Sequence, residues 1–190
     1  MFDRLSRRIT DQLEENCTIS HEDRELYEFG LRQGFTSMLN ILTAAAVGAV
    51  FGCTLKALLF MGLYIPLRSF AGGHHARTPM ICYIQSVVML VAVCLYIKFV
   101  PCGWWEYIVI AAAAAVIYLL APVETENKPL DENERKVYRK KALIILSAQA
   151  FLFPIMRALG AEGFAQINCC VIGMMSLMLV IGKLENSKRK

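Results

Sequence analysis

Charge is nearly missing from most of this chain. Six blocks run from Gly34 to Gly52, Ala57 to Leu67, Ile81 to Val100, Trp104 to Ala121, Ala142 to Leu159 and Phe164 to Gly182. Between them they hold only Lys98, Glu106 and Arg157 as charged residues. Segments so poor in charge cannot coat a domain that faces water, and 56% of the 190 residues are hydrophobic with a mean hydropathy of +0.46. The expectation is a single membrane-embedded unit. The same scarcity weighs against a coupled transporter, because ion and proton pathways through a bilayer are built from intramembrane ionisable groups. Gln149, Gln166 and Asn168 are the polar residues left for such a path, so a small transporter or exporter stays as the alternative function. A short basic leader with an apolar core and a small-residue cleavage site is also missing, and no signal peptide is expected.

Most of the blocks can cross about 30 Å of hydrocarbon at 1.5 Å per residue. The second is short, bounded by Lys56 and Arg68, and reads as a helix with snorkelling ends or as a re-entrant one. The fold class is therefore an all-α polytopic membrane protein of about six transmembrane helices. Residues 1–33 precede them, 34–182 form the bundle and 183–190 are a basic tail. Seventeen of the 20 Lys and Arg residues fall on the side of the termini, leaving Lys56, Lys98 and Arg157 opposite. That bias puts both termini, the Arg68–Cys82 connection and the stretch from Pro122 to Lys141 in the cytoplasm, with the chain in the cell membrane. Before the first span, Phe2, Leu5, Ile9 and Leu13 recur at helical spacing among charged residues, as in an amphipathic helix lying in the headgroup plane. Its functional alternative is a docking surface for an amphipathic substrate. Ser20 and Asp23 read as a capping box that opens a second segment.

Histidine is equally sparse: three residues, two of them adjacent at His74 and His75. His21 is far off in sequence, and His74, His75 and Cys82 supply three metal ligands only if both adjacent histidines turn inward, so no metal or other cofactor is expected. Cysteine is the exception, with seven residues, an odd number lying mostly in or beside apolar blocks, where it packs as a small hydrophobe. Cys53 and Cys102, near the outer face, are the one pair placed for a bridge, and none is expected. Cys17 is cytoplasmic and expected to be reduced.

Cys82 stands apart. The stretch RSFAGGHHARTPMIC, from Arg68 to Cys82, sets the histidine pair and a thiol at the cytoplasmic start of a membrane helix. Thr78 followed by Pro79 predicts an N-cap and a first helical residue, so Cys82 falls in the first turn. There the helix N-terminus and a nearby imidazolium both favour thiolate over thiol. Gly72 and Gly73 predict a tight turn that brings His75 toward Cys82. A thiol beside an imidazole is the minimum set for nucleophilic catalysis. Gln85 and Ser86, three and four residues after Cys82, share its helix face and could bind an oxyanion or orient His75. The backbone amides of the first turn are an equal candidate. No Asp or Asn is obviously placed as a third member.

Arg68, Gly73, His75, Ala76 and Cys82, followed by Tyr83 and Ser86, resemble the accessory gene regulator protein B family, membrane cysteine endopeptidases that process quorum-sensing propeptides. Ala121, Pro122, Thr125, Lys128 and Pro129 resemble that family's cytoplasmic segment after the fourth span. Where some relatives carry consecutive lysines, Lys128 alone precedes Pro129 here. The resemblance implies His75 as catalytic base, Cys82 as nucleophile, and Arg68 and Gly73 as residues needed for activity. It also implies a small amphipathic propeptide as substrate and a cyclic thiolactone or lactone as product. Lys128, Arg135 and Lys136 belong to a basic stretch that reads as topology signal and anionic-lipid contact, or as recognition of an acidic part of the precursor. Nucleic-acid binding is not indicated, and a homodimer is compatible with the sequence.

Overall fold

A computed structural model describes residues 2–16, 18–73, 78–124 and 131–188. Among these, the secondary structure is seven helices and no strand: α1 Asp3–Glu15, α2 Arg24–Phe51, α3 Thr54–Ala71, α4 Pro79–Phe99, α5 Trp105–Leu120, α6 Glu132–Ala158 and α7 Glu162–Lys188. α2 to α7 correspond one for one to the six apolar blocks. By length and composition α2, α4, α6 and α7 are each able to cross a membrane. α5 is apolar but only 16 residues long, and α3 carries Lys56, Pro66 and Arg68 within 18 residues. α3 nevertheless runs as one continuous helix, about 27 Å at 1.5 Å per residue.

α7 is the axis of the bundle. It packs against α3, α4, α5 and α6, and buries Ala165, Ile167, Val171, Ile172, Met175 and Leu179. The outward side chains are large and apolar, among them Val88, Leu119, Phe151 and Leu177, while Gln149, Gln166, Asn168 and Glu106 point inward. A protein in water distributes these the other way round, so this surface matches lipid rather than water. The inward amides stitch helices together. Gln149 Nε2 donates to the Leu63 carbonyl at 2.9 Å, Asn168 Nδ2 to the Gln149 carbonyl at 2.6 Å and Gln166 Nε2 to the Val100 carbonyl at 2.6 Å. At the end far from Thr78, the wholly buried Glu106 accepts from the Tyr96 hydroxyl at 3.5 Å and faces the Arg157 guanidinium at 4.0 Å.

Two details differ from the sequence reading. Ser20 and Asp23 do bond each other, the Ser20 hydroxyl donating to the Asp23 carboxylate at 2.7 Å, but they close a turn and α2 starts only at Arg24. Half of the expected loop between Pro122 and Lys141 is helix, because Asp131 and Glu134 form a reciprocal capping box that opens α6 at Glu132. Cys53 and Cys102 do not pair. The Cys53 thiol meets Cys94, the Cys102 thiol points at the Glu162 carbonyl at 3.6 Å, and both are free. Cys17 lies outside the described residues.

α1 folds back along α2 as a helical hairpin. Glu28 accepts from Arg7 at 3.1 Å and from Arg32 at 2.7 Å, and the Phe2 and Phe35 rings sit 5.5 Å apart. Ser6 and Thr10 face inward, and Leu5 stays exposed.

Close approach of α2 and α3 depends on Gly48. A Cβ built there would lie 2.6 Å from the Thr54 Cα and 3.0 Å from the Ala57 Cβ. Gly62 has nothing within 4 Å of such a Cβ. Gly48→Ala should therefore destabilise the detergent-solubilised protein by about 1–3 kcal/mol, while Gly62→Ala should leave it within about 0.5 kcal/mol of the parent. Thermal unfolding of the two variants side by side checks this.

Candidate active site

The start of α4 is built as its sequence requires. Thr78 is extended, its hydroxyl accepts from the Ile81 amide at 3.3 Å, Pro79 is the first helical residue, and the Cys82 amide donates to the Thr78 carbonyl at 3.1 Å. Cys82 sits in the first turn and is half-buried. The Ser86 hydroxyl donates to the Cys82 carbonyl at 3.1 Å, which ties it to the same turn. With the Ile81 and Cys82 amides already engaged and Pro79 lacking an N–H, Met80 carries the first-turn amide with no partner among the described residues. Next to Cys82, the Tyr83 hydroxyl bonds the Thr43 hydroxyl of α2 at 2.8 Å. His74, His75, Ala76 and Arg77 lie outside the described residues, as do Thr125, Lys128 and Pro129.

What precedes the histidines is a clasp. α3 ends at Ala71 and the chain turns through Gly72 at φ 74° and Gly73 at φ 110°, both in the region that favours glycine. The Arg68 guanidinium donates to the Gly72 carbonyl. Val123 lies alongside: its amide donates to the Ala71 carbonyl at 3.0 Å and its carbonyl accepts from the Gly73 amide at 3.2 Å. Neither glycine has room for a side chain. A Cβ on Gly72 would strike the Val123 carbonyl, and one on Gly73 would strike the Arg68 guanidinium and lie 3.2 Å from the Met178 carbonyl oxygen. The two sequence segments that carry the family-like residues, around Arg68–Gly73 and around Ala121–Val123, thus meet in space. Sequence reading missed that contact. Its local signals, paired glycines and a proline after an apolar block, say that each segment turns but not that the turns face each other.

The segment from Ala121 to Glu124 is braced in turn. Arg139 donates to the Ala121 carbonyl at 2.7 Å and the Tyr118 carbonyl at 3.1 Å, and Asn186 of α7 donates to the Glu124 carbonyl at 2.7 Å. Arg135 faces the Glu124 carboxylate at 3.7 Å. Lys141 lies over the Phe70 ring at 4.9 Å, pinning the start of α6 to the end of α3. Of the basic residues singled out in the sequence, Arg135 is partly committed to this brace and Lys136 is exposed. Among the described residues no cluster of three His, Cys, Asp or Glu side chains is placed to hold a metal.

A family profile described as Accessory gene regulator B matches residues 6–182. The chain belongs to that family. It is 24% identical to the accessory gene regulator protein B of Staphylococcus lugdunensis over 97% of this chain and 98% of the relative. An AgrB-like protein of Listeria monocytogenes is 29% identical over 70% of this chain and 69% of its own, and protein FsrB of Enterococcus faecalis is 26% identical over 58% of this chain and 47% of its own. No solved structure matches the chain.

For this AgrB family member the clasp makes specific demands. Gly73→Ala should cost about 1–3 kcal/mol locally, because the new methyl meets Arg68 and the backbone is held at positive φ. Arg68→Lys should also damage the site, since a lysine ammonium cannot reproduce the planar fork at the Gly72 carbonyl. In both variants, proteolysis at the segment after Gly73 should quicken while the unfolding temperature of the bundle changes little. Limited proteolysis beside thermal unfolding measures both.

Proposed function

We propose that the chain is an integral-membrane cysteine endopeptidase that cuts a small amphipathic quorum-sensing propeptide and releases a cyclic peptide. The observation that carries this reading is Cys82 in the first turn of a Thr78-capped helix, with the clasp at Gly72 and Gly73 a few residues before it. The four residues between these two points include His74 and His75, and the reading requires that one of these imidazoles meets the thiol. Family membership adds weight, since one relative is named accessory gene regulator protein B.

In the proposed cycle His75 takes the Cys82 proton and the sulfur attacks a backbone carbonyl of the propeptide. The C–N bond breaks, the amine of the departing C-terminal tail takes the proton from His75, and the N-terminal part stays on Cys82 as a thioester. A thiol or hydroxyl within that part then loses its proton to His75 and attacks the thioester carbonyl. The ring closes and the Cys82 thiolate leaves. Ring closure outruns hydrolysis when the internal nucleophile is held against the thioester at a site sheltered by the bilayer interface. The Met80 amide is the first-turn donor for the oxyanion, with Gln85 on the same helix face as Cys82. The Ser86 hydroxyl is held by the Cys82 carbonyl and orients that turn. Lys136 and Lys128 would meet an acidic part of the precursor. The buried amides that a transporter would need along its path are instead engaged in holding helices together.

Cys82→Ala should abolish release of the cyclic product by roughly a thousandfold or more while insertion and expression stay intact. His75→Ala should be nearly as severe and His74→Ala much milder, and chelators should change nothing. Mass spectrometry of a co-expressed propeptide reads all of these. Normal processing by Cys82→Ala would remove the peptidase reading and favour transport. In a variant retaining Cys82 alone, a membrane-impermeant thiol reagent should label from the cytoplasmic side only.

A further inference from the structure

α2 brings an unused hydrogen-bond acceptor to the Cys82 corner of the bundle. Asn40 Oδ1 is closed off from solvent and accepts no hydrogen bond among the described residues. Two hydroxyls of α2 near it are engaged elsewhere, Thr36 donating to the Arg32 carbonyl at 2.9 Å and Thr43 to the Leu39 carbonyl at 2.8 Å. Contacts of Gly48 with α3 and of Thr43 with α4 locate Asn40 by register. Residues 40, 44 and 48 share one face of α2, and Gly48 presses on Thr54 and Ala57 of the antiparallel α3. Two turns back along that register, Asn40 is level with Tyr64, whose hydroxyl lies within electrostatic range of Cys82 and Arg68. On the other side the Thr43 to Tyr83 contact of 2.8 Å sets the Asn40 turn beside the first turn of α4. α2, α3 and α4 therefore converge with Asn40, Tyr64 and Cys82 around one corner.

A buried amide oxygen left unpaired is costly, and the cost is removed when a donor arrives. Resting on the peptidase reading, we propose that Asn40 is a positioning residue that accepts a main-chain N–H of the propeptide on the acyl side of the cut. Such a bond would hold the scissile carbonyl over Cys82 whatever side chains the substrate carries, because it uses backbone alone. The residues that carry the other orphaned oxygens, Gln149, Asn168 and Glu106, each already bond across helices.

The test pairs Asn40 variants with synthetic propeptides in which each amide N–H of the three residues before the cut is replaced in turn by an ester oxygen. The readout is kcat and KM of cleavage by the reconstituted full-length protein. Asn40→Ala should lower kcat/KM about tenfold, Asn40→Asp, which keeps an acceptor, should recover most of it, and Cys82 alkylation by a small thiol reagent should be unchanged. One ester substitution should cost the parent protein about tenfold and cost Asn40→Ala nothing further, the non-additivity expected of partners in one bond. Independent, multiplying losses would mean that Asn40 serves another donor, such as the imidazole, and would overturn the proposal. So would an ester panel that leaves the parent protein unaffected at every position, a result that can be read even if Asn40→Ala does not fold. If Cys82→Ala still cleaves, the peptidase reading fails instead.

Discussion

The hydrogen bonds that join the end of α3 to Val123 hold the site in place. α3 must stop sharply, reverse through two left-handed glycines and release the chain toward α4, all at the mouth of an apolar bundle where stray backbone groups are expensive. Val123 supplies an acceptor and a donor to that turn, Arg68 supplies a third bond, and the close packing is possible because Gly72 and Gly73 have no Cβ. Without the clasp, the capped start of α4 would still form, but the segment before it would have no fixed point of departure.

The clasp is itself held from a distance. Arg139 and Arg135 of α6, and Asn186 near the end of α7, all grip the residues from Tyr118 to Glu124. Basic residues that topology alone would explain thus have a second task. Together with Asn186 they tie the ends of α5, α6 and α7 beside the clasp to the turn that leads into the histidine pair. At the other end of the bundle Glu106, Tyr96 and Arg157 link α4, α5 and α6, so the helices are tied together by polar contacts at both ends and by amide rungs between.

The local features were legible in the sequence. Charge-poor blocks located α2 to α7, and the Thr78 and Pro79 pair located the start of α4 to the residue, because capping depends on neighbours within one turn. The interaction between Ala71–Gly73 and Val123 was not, since its partners are some fifty residues apart and neither announces the other. The helical nature of Glu132 to Lys141 was hidden by its mixed charges, which look like a solvated loop unless the Asp131 and Glu134 box is recognised. Asn40 was invisible for a similar reason: one amide in a long apolar block acquires meaning only when the register of α2 against α3 and α4 is known.

The central claim is that Cys82 carries the acyl group of the substrate. Intact-mass analysis of the protein, quenched in acid shortly after mixing with its propeptide, tests it most directly. The account predicts an adduct on Cys82 with the mass of the N-terminal part of the propeptide, removed by neutral hydroxylamine as a thioester should be and missing from Cys82→Ala. Release of cut peptide at full rate with no such adduct, or an adduct that persists in Cys82→Ala, would contradict it.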